Sequence, residues 1–155
     1  MSSKRFRMLS HAEFTRWLED RHHLHDATLR AIKCEHLCDC SVASRDCSFL
    51  ENGRRVLIEV LIPVDDKPND YVKTCLLFGG VNSVRFSFQA GDYTDTYIIR
   101  SLVKLNKDGG MTFGIYGELF ESGEWHYVKI MVLACRFVGV SEYCLPCDNK
   151  EDGEG

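Results

Sequence analysis

The segment Arg21-His22-His23-Leu24-His25-Asp26 places three imidazoles and a carboxylate within six residues. Imidazole and carboxylate together suit zinc, iron or manganese, so a metal centre is the first chemistry to weigh here. The segment falls where a helix gives way to a strand, and side chains on such a junction diverge unless a loop gathers them. The preferred reading is therefore structural: His25 and Asp26 fix the junction through hydrogen bonds to nearby backbone, as Asp does at turns.

The eight cysteines offer a second set. Cys144-Leu145-Pro146-Cys147 has the spacing of a zinc half-site, and Cys34, Cys38 and Cys40 would have to supply the other half. Cys38-x-Cys40 lacks the tight turn that converges two sulfurs. Read as a redox pair, Cys144 and Cys147 lack the βαβ setting and helix N-terminus that activate a thiolate. Cys75 and Cys135 sit inside apolar runs, where free cysteine behaves as a small buried hydrophobe. No Gly-x-Ser-x-Gly turn, Walker loop or dinucleotide fingerprint is present. With six histidines and eight cysteines, Cys–His pairs arise by chance and identify nothing. A His-Asp doublet also occurs in metal-dependent phosphohydrolases, but those enzymes place their ligands on several helices, and this chain offers one. No catalytic residue, metal or cofactor is assigned. A metal-binding or thiol-redox protein using His22 to Asp26 or the cysteines stands as the alternative function.

The acidic residues form a third set. Asp65, Asp66 and Asp70 lie in one expected connection, Asp92 and Asp95 in another, and Glu121 and Glu124 in a third. Clustered at one end of a sheet, the five aspartates would attract a basic protein partner and speed its association. An ordinary solvated rim is the competing reading.

These residues must be held by elements that the local pattern reveals. Ser10-His11-Ala12-Glu13 is a capping box, and Leu9 with Phe14 forms the matching hydrophobic staple. A helix is expected from there to about Arg21–His23, with Phe14, Trp17 and Leu18 on its apolar stripe. From Ala27 the period changes to two, with facing ambiguous near Ile32. Val56, Ile58, Val60 and Ile62 mark a central strand, preceded by the turn former Asn52-Gly53. Pro63 to Asp70 reads as the longest loop. Extended runs follow at Thr74–Phe78 and Val81–Phe88, separated by Gly79-Gly80, and then at Tyr97–Leu105, where facing is again ambiguous and Ile99, Val103 and Leu105 are placed inward. Asn106 to Gly110 turns into Met111, Phe113 and Ile115, and Ser122-Gly123 joins that strand to Trp125–Val138 as an antiparallel hairpin.

The expected fold is α+β: an N-terminal helix packed on a bent, mainly antiparallel sheet of about six or seven strands. A small β-sandwich or open barrel is the alternative. A single domain spans 1–147, and the acidic stretch 148–155 has nothing to bury and is expected to fray. A chain of 155 residues that is 45% hydrophobic and 27% charged has the composition of one globular domain rather than of a disordered polypeptide. Its formal charge of −4, with Lys and Arg scattered singly along the sequence, leaves no footprint for nucleic acid. Met1 to Met8 is polar and basic with no following apolar run, and no stretch is long enough to cross a bilayer, so a cytoplasmic protein without a membrane partner is expected. The oligomeric state is not specified.

The helix, His25-Asp26-Ala27 opening the first strand, Phe78-Gly79-Gly80-Val81 midway and the C-terminal hairpin together resemble a family of small bacterial immunity proteins from polymorphic toxin systems. The resemblance covers about Phe14 to Val140. It implies a protein that binds and neutralises a toxin made by the same or a neighbouring cell, without catalysis. The crowded cysteines and the Cys144–Cys147 extension depart from that pattern, and no contact residues carry over.

Overall fold

The structure, a computed structural model, describes residues 6–34, 55–64, 67–87 and 93–144. Helix α1 spans His11–Asp20 and begins as the capping box predicts. The Glu13 N–H donates to Ser10 Oγ at 3.1 Å, and the Ser10 N–H donates to Glu13 Oε1 at 2.8 Å. The hydrogen bonds from the Ser10 backbone, then from its side chain, hold the Glu13 carboxyl below its ordinary value. The support from the charged carboxylate is thus present above the unfolded value and lost as pH falls through the lowered one. Ser10→Ala is expected to lower stability by about 1 kcal/mol in urea melts at neutral pH. A three-residue strand, β1 (Arg7–Leu9), precedes the helix.

Eight further strands follow: β2 (Thr28–Cys34), β3 (Arg55–Val64), β4 (Lys67–Gly79), β5 (Ser83–Phe86), β6 (Tyr97–Leu105), β7 (Met111–Glu121), β8 (Glu124–Cys135) and β9 (Phe137–Cys144). Every pairing is antiparallel, in the order β1-β9-β4-β3-β2-β6-β7-β8-β5. The described residues therefore form a mostly antiparallel sheet with one α-helix. The nine strands exceed the six or seven expected, for two reasons. Strand β1 is too short to show a period. The run Trp125–Val138 bends and changes partner at Arg136, just after Ala134 at φ 56°, and alternation does not register a change of neighbour.

The Pro63–Asp70 stretch also departs from expectation. Strands β3 and β4 stay paired through Pro63↔Tyr71 and, after a register shift, Val64↔Lys67. A ladder is made by backbone groups, so a polar sequence can extend it where the side chains reach water. Strand β3 itself follows the prediction, with Val56, Ile58, Val60 and Ile62 buried. Bulges settle the two ambiguous strands. A shift between Leu29 and Ala31 brings Leu29 and Ile32 both into the core, and one between Ile98 and Arg100 turns Ile98 inward instead of Ile99. Leu105, expected inside, is exposed.

The sheet bends back on itself. Phe78 on β4 stacks on Phe113 on β7 with centroids 5.0 Å apart, although β3, β2 and β6 lie between those strands in the sheet order. At one corner β4 passes into β5 and β8 into β9, tied by the Arg136 N–H to the Gly79 carbonyl at 2.7 Å and the Asn82 N–H to the Leu133 carbonyl at 3.0 Å. Gly80, at φ +63°, permits this turn. At the other corner β2 meets β6 through the single pair Thr28↔Tyr97. Phe14 of the helix fills the space between the two arms, 6.1 Å from Phe78 and 5.5 Å from Phe113 by ring centroid.

Cys75 and Cys135 are both fully buried, as their apolar settings implied, with the Cys75 thiol 3.5 Å from Glu59 Oε2 and neither in a disulfide. Burial pushes the Cys135 thiol from an ordinary value of 9.0 up to about 12. The native state therefore holds this proton more tightly. Its stabilising contribution is complete below the unfolded value and lost as pH rises towards 12. Iodoacetamide treatment at mildly alkaline pH should leave Cys75 and Cys135 unmodified in native protein, as read by peptide mass mapping, and label both after unfolding.

Candidate functional site

The polar segment singled out in the sequence lies beside a cleft of about 600 Å³. Its lining combines the polar residues Asp20, Arg21, His22, His25, Asp26 and Glu142 with the apolar residues Ile62, Pro63, Val64 and Val72. The backbone here is unusual. His22, His23, Leu24 and Asp26 have φ of 55°, 55°, 64° and 74°, in the left-handed region. For residues with a Cβ this costs about 1–2 kcal/mol each, so other interactions must enforce it. The Leu24 side chain is wholly buried, and the Leu24 and His25 N–H groups donate to the Arg21 and His22 carbonyls at 2.9 and 3.0 Å. The Asp26 N–H donates to the Ile98 carbonyl at 3.0 Å, and Ser101 Oγ donates to the His23 carbonyl at 3.0 Å.

Arg21, His25 and Asp26 of this turn are committed to one another or to the scaffold, whereas the buried Nδ1 of His23 has no hydrogen-bond partner among the described residues. Arg21 donates through Nε and Nη2 to Glu142 Oε2 at 3.1 and 2.8 Å, donates through Nη1 to the Trp17 carbonyl, and stacks 4.2 Å over the Trp17 ring. Tyr97 donates its hydroxyl to Asp26, and His25 Nδ1 lies 3.3 Å from the other Asp26 oxygen. That hydrogen bond, and then desolvation, raises the Tyr97 phenol above its ordinary value, so the donor form is the one held at neutral pH. Asp26 thus supports the junction through a tyrosine on β6, where bonding of its side chain to nearby backbone was expected. Among the described residues no three His, Cys, Asp or Glu side chains are placed to hold a metal ion. Cys34 and Cys144 end β2 and β9, while Cys38, Cys40, Cys47 and Cys147 lie outside the described residues, as does the Asn52-Gly53 turn.

The five aspartates of the expected acidic surface are placed as follows. Asp65, Asp66 and Asp92 lie outside the described residues. Asp70 is half-buried on β4, and Asp95 occupies the turn before β6, where it accepts from Arg30 at 2.8 Å. Strands β3 and β2 lie between those two positions. Asp95 is spent on an ion pair within the chain.

A different surface stands out on the outer face of β6, β7 and β8. Phe120, Trp125 and Tyr127 are 56%, 62% and 59% exposed, and Tyr97 beside them is 38% exposed. The ladder assembles them: Phe120 is opposite Trp125, Tyr127 is opposite Glu118, and Glu118 is opposite Tyr97. Phe120 and Trp125 meet edge to face with centroids 5.3 Å apart. The hairpin tip that fixes this register is Ser122-Gly123, both with positive φ, the conformation that suits a two-residue hairpin turn. Gly117 lets β6 approach β7 at the Tyr97 row, because a Cβ there would sit 2.4 Å from the Tyr97 carbonyl oxygen.

Comparison of the chain with protein-family models, with curated proteins and with solved structures finds no match. The site is read from its geometry. Aromatic side chains bring large contact area at low entropic cost and normally lie in a core or an interface. Four of them are gathered on one exposed sheet face of the described residues. The inward set Met111, Phe113 and Ile115 identifies these strands but says nothing of their outer face. The outward aromatics Tyr116, Phe120, Trp125 and Tyr127 were the available signal, since a strand apolar on both sides has two surfaces to bury.

Proposed function

We propose that this protein is a non-enzymatic protein-binding domain whose partner docks on the outer face of β6, β7 and β8, centred on Phe120, Trp125 and Tyr127. The observation that carries the reading is the exposure of these three rings in one contiguous cluster. Trp and Tyr are the residues most enriched among those that dominate binding energy. The bent sheet with its docked helix serves as the rigid platform, and Asp26 fixes Tyr97 at the edge of the patch. The resemblance to immunity proteins gives the reading its biological form: a cytoplasmic inhibitor that covers a toxin.

Co-expression with the product of the neighbouring gene provides the test. The full chain is expected to restore growth and to form a stoichiometric complex in which amides of 116–129 gain protection from hydrogen exchange. Complex formation with protection confined to another face would place the interface elsewhere. Absence of any complex or growth rescue would count against the toxin-neutralising form.

A further inference from the structure

Resting on the protein-binding reading, we infer that the partner presents an acidic surface, with carboxylates placed on the side of the aromatic cluster where Arg100 and Lys129 lie. The cations scattered along the sequence converge on this face. In the ladder Arg100 is opposite Tyr116 and Tyr116 opposite Lys129, the next outward row after Tyr97, Glu118 and Tyr127. One row further, Arg85 is opposite Met131, and Lys104, opposite Thr112, lies one row beyond that. All four cations are exposed. None takes part in an ion pair among the described residues, whereas Arg21, Arg30 and Lys73 each have a carboxylate partner. The carboxylates nearby are Glu118 within these rows, Asp26 at their edge on the Tyr97 hydroxyl, and Glu121 and Glu124 paired at the hairpin tip, so the four cations gather on the side of the patch away from the tip. Tyr127 and Lys129 are alternate residues of β8, about 7 Å apart, and the bulge after Ile98 brings Arg100 to the row next to Tyr97. A partner that buries the rings must also meet those cations. Carboxylates there give complementary potential and faster encounter, while basic groups would repel.

A strand of nucleic acid is the other polyanion to weigh. Single-strand binders line up rings on which successive bases stack, whereas Phe120 and Trp125 are tilted at 63° to each other and offer no shared stacking plane. The acidic remainder of the chain also repels a long phosphate backbone. The geometry favours a compact acidic protein surface.

Fluorescence anisotropy with the full chain and two labelled probes, a short poly-L-glutamate peptide and a short oligo(dT), tests the inference. Poly-L-glutamate is expected to bind at low salt. The affinity should fall tenfold or more as salt rises from about 0.01 M to about 1 M, which shortens the Debye length from roughly 30 Å to roughly 3 Å. The double variant Arg100→Glu/Lys129→Glu should lose binding, while Lys33→Glu, on β2, should retain it. Failure of poly-L-glutamate to bind, or an equal loss in Lys33→Glu, overturns the inference. Tighter binding of oligo(dT), lost in the same double variant, overturns it in favour of single-stranded nucleic acid. If the protein partner still protects 116–129 while poly-L-glutamate does not bind, the protein-binding reading stands and only the acidic character of the partner falls.

Discussion

Phe14→Ala is expected to lower the stability of the protein by about 3–5 kcal/mol. The ring is wholly buried and lies within 6.1 Å, centroid to centroid, of Trp17, Phe78 and Phe113. It is the helix residue that touches both arms of the sheet. Truncation removes its burial and leaves a cavity that the ladders on either side resist closing. Helix α1 has only ten residues and is marginal in isolation, so its order depends on this docking. The urea midpoint should fall with little change in slope. Phe14→Leu, which keeps much of the volume, should cost well under half as much. A loss below about 1 kcal/mol for the alanine variant would show that the arms close without the ring, and that the helix is an appendage to the sheet.

What the sequence disclosed was what neighbouring residues decide between themselves. Ser10 and Glu13 satisfy each other's backbone over three positions, so the start of α1 could be read directly. Ser122-Gly123 and Asn106–Gly110 encode their turns in the residue types that accept positive φ. The strict alternation of Val56 to Ile62 identified a half-buried strand. Errors arose where partners distant in sequence take over. Pro63 and Val64 carry loop chemistry but remain paired to Tyr71 and Lys67. The bulges after Leu29 and Ile98 shift the inward set by one residue, and only the neighbouring strand can specify that. Arg136 marks a change of strand partner that no local pattern signals.

The candidate site divides in the same way. His22 to Asp26 was visible as a cluster because its residues adjoin, but the left-handed backbone is imposed by Leu24 burial and by contacts to β6, which lies about 75 residues further on. The aromatic face draws Tyr97 from β6, Phe120 from β7 and Trp125 and Tyr127 from β8, and its cations come from β5, β6 and β8. Residues spread from Arg85 to Lys129 become one patch only through the register of three ladders. Composition therefore showed scattered charge where the fold gathers four cations beside an aromatic surface on an acidic chain.

Trp125→Ala puts that surface to the most demanding test. In isothermal titration with the co-purified partner, the variant is expected to lose at least about 2 kcal/mol of binding free energy, roughly thirtyfold in Kd. Its folding stability should change by only about 1 kcal/mol or less, the range for a cross-strand pair on an exposed face. The separation follows from exposure: Trp125 is 62% accessible and contributes little buried area to the free chain, so most of what the indole can bury is buried in a complex. Phe120→Ala removes the ring that meets Trp125 edge to face and should weaken binding less. Because the two rings touch, the double variant is expected to lose less than the sum of the single losses. Strict additivity would mean that each ring contacts the partner independently. A Trp125→Ala complex within threefold of the native affinity would move the energetic centre away from the hairpin, while an equal fall in stability and affinity would mark the ring as part of the scaffold.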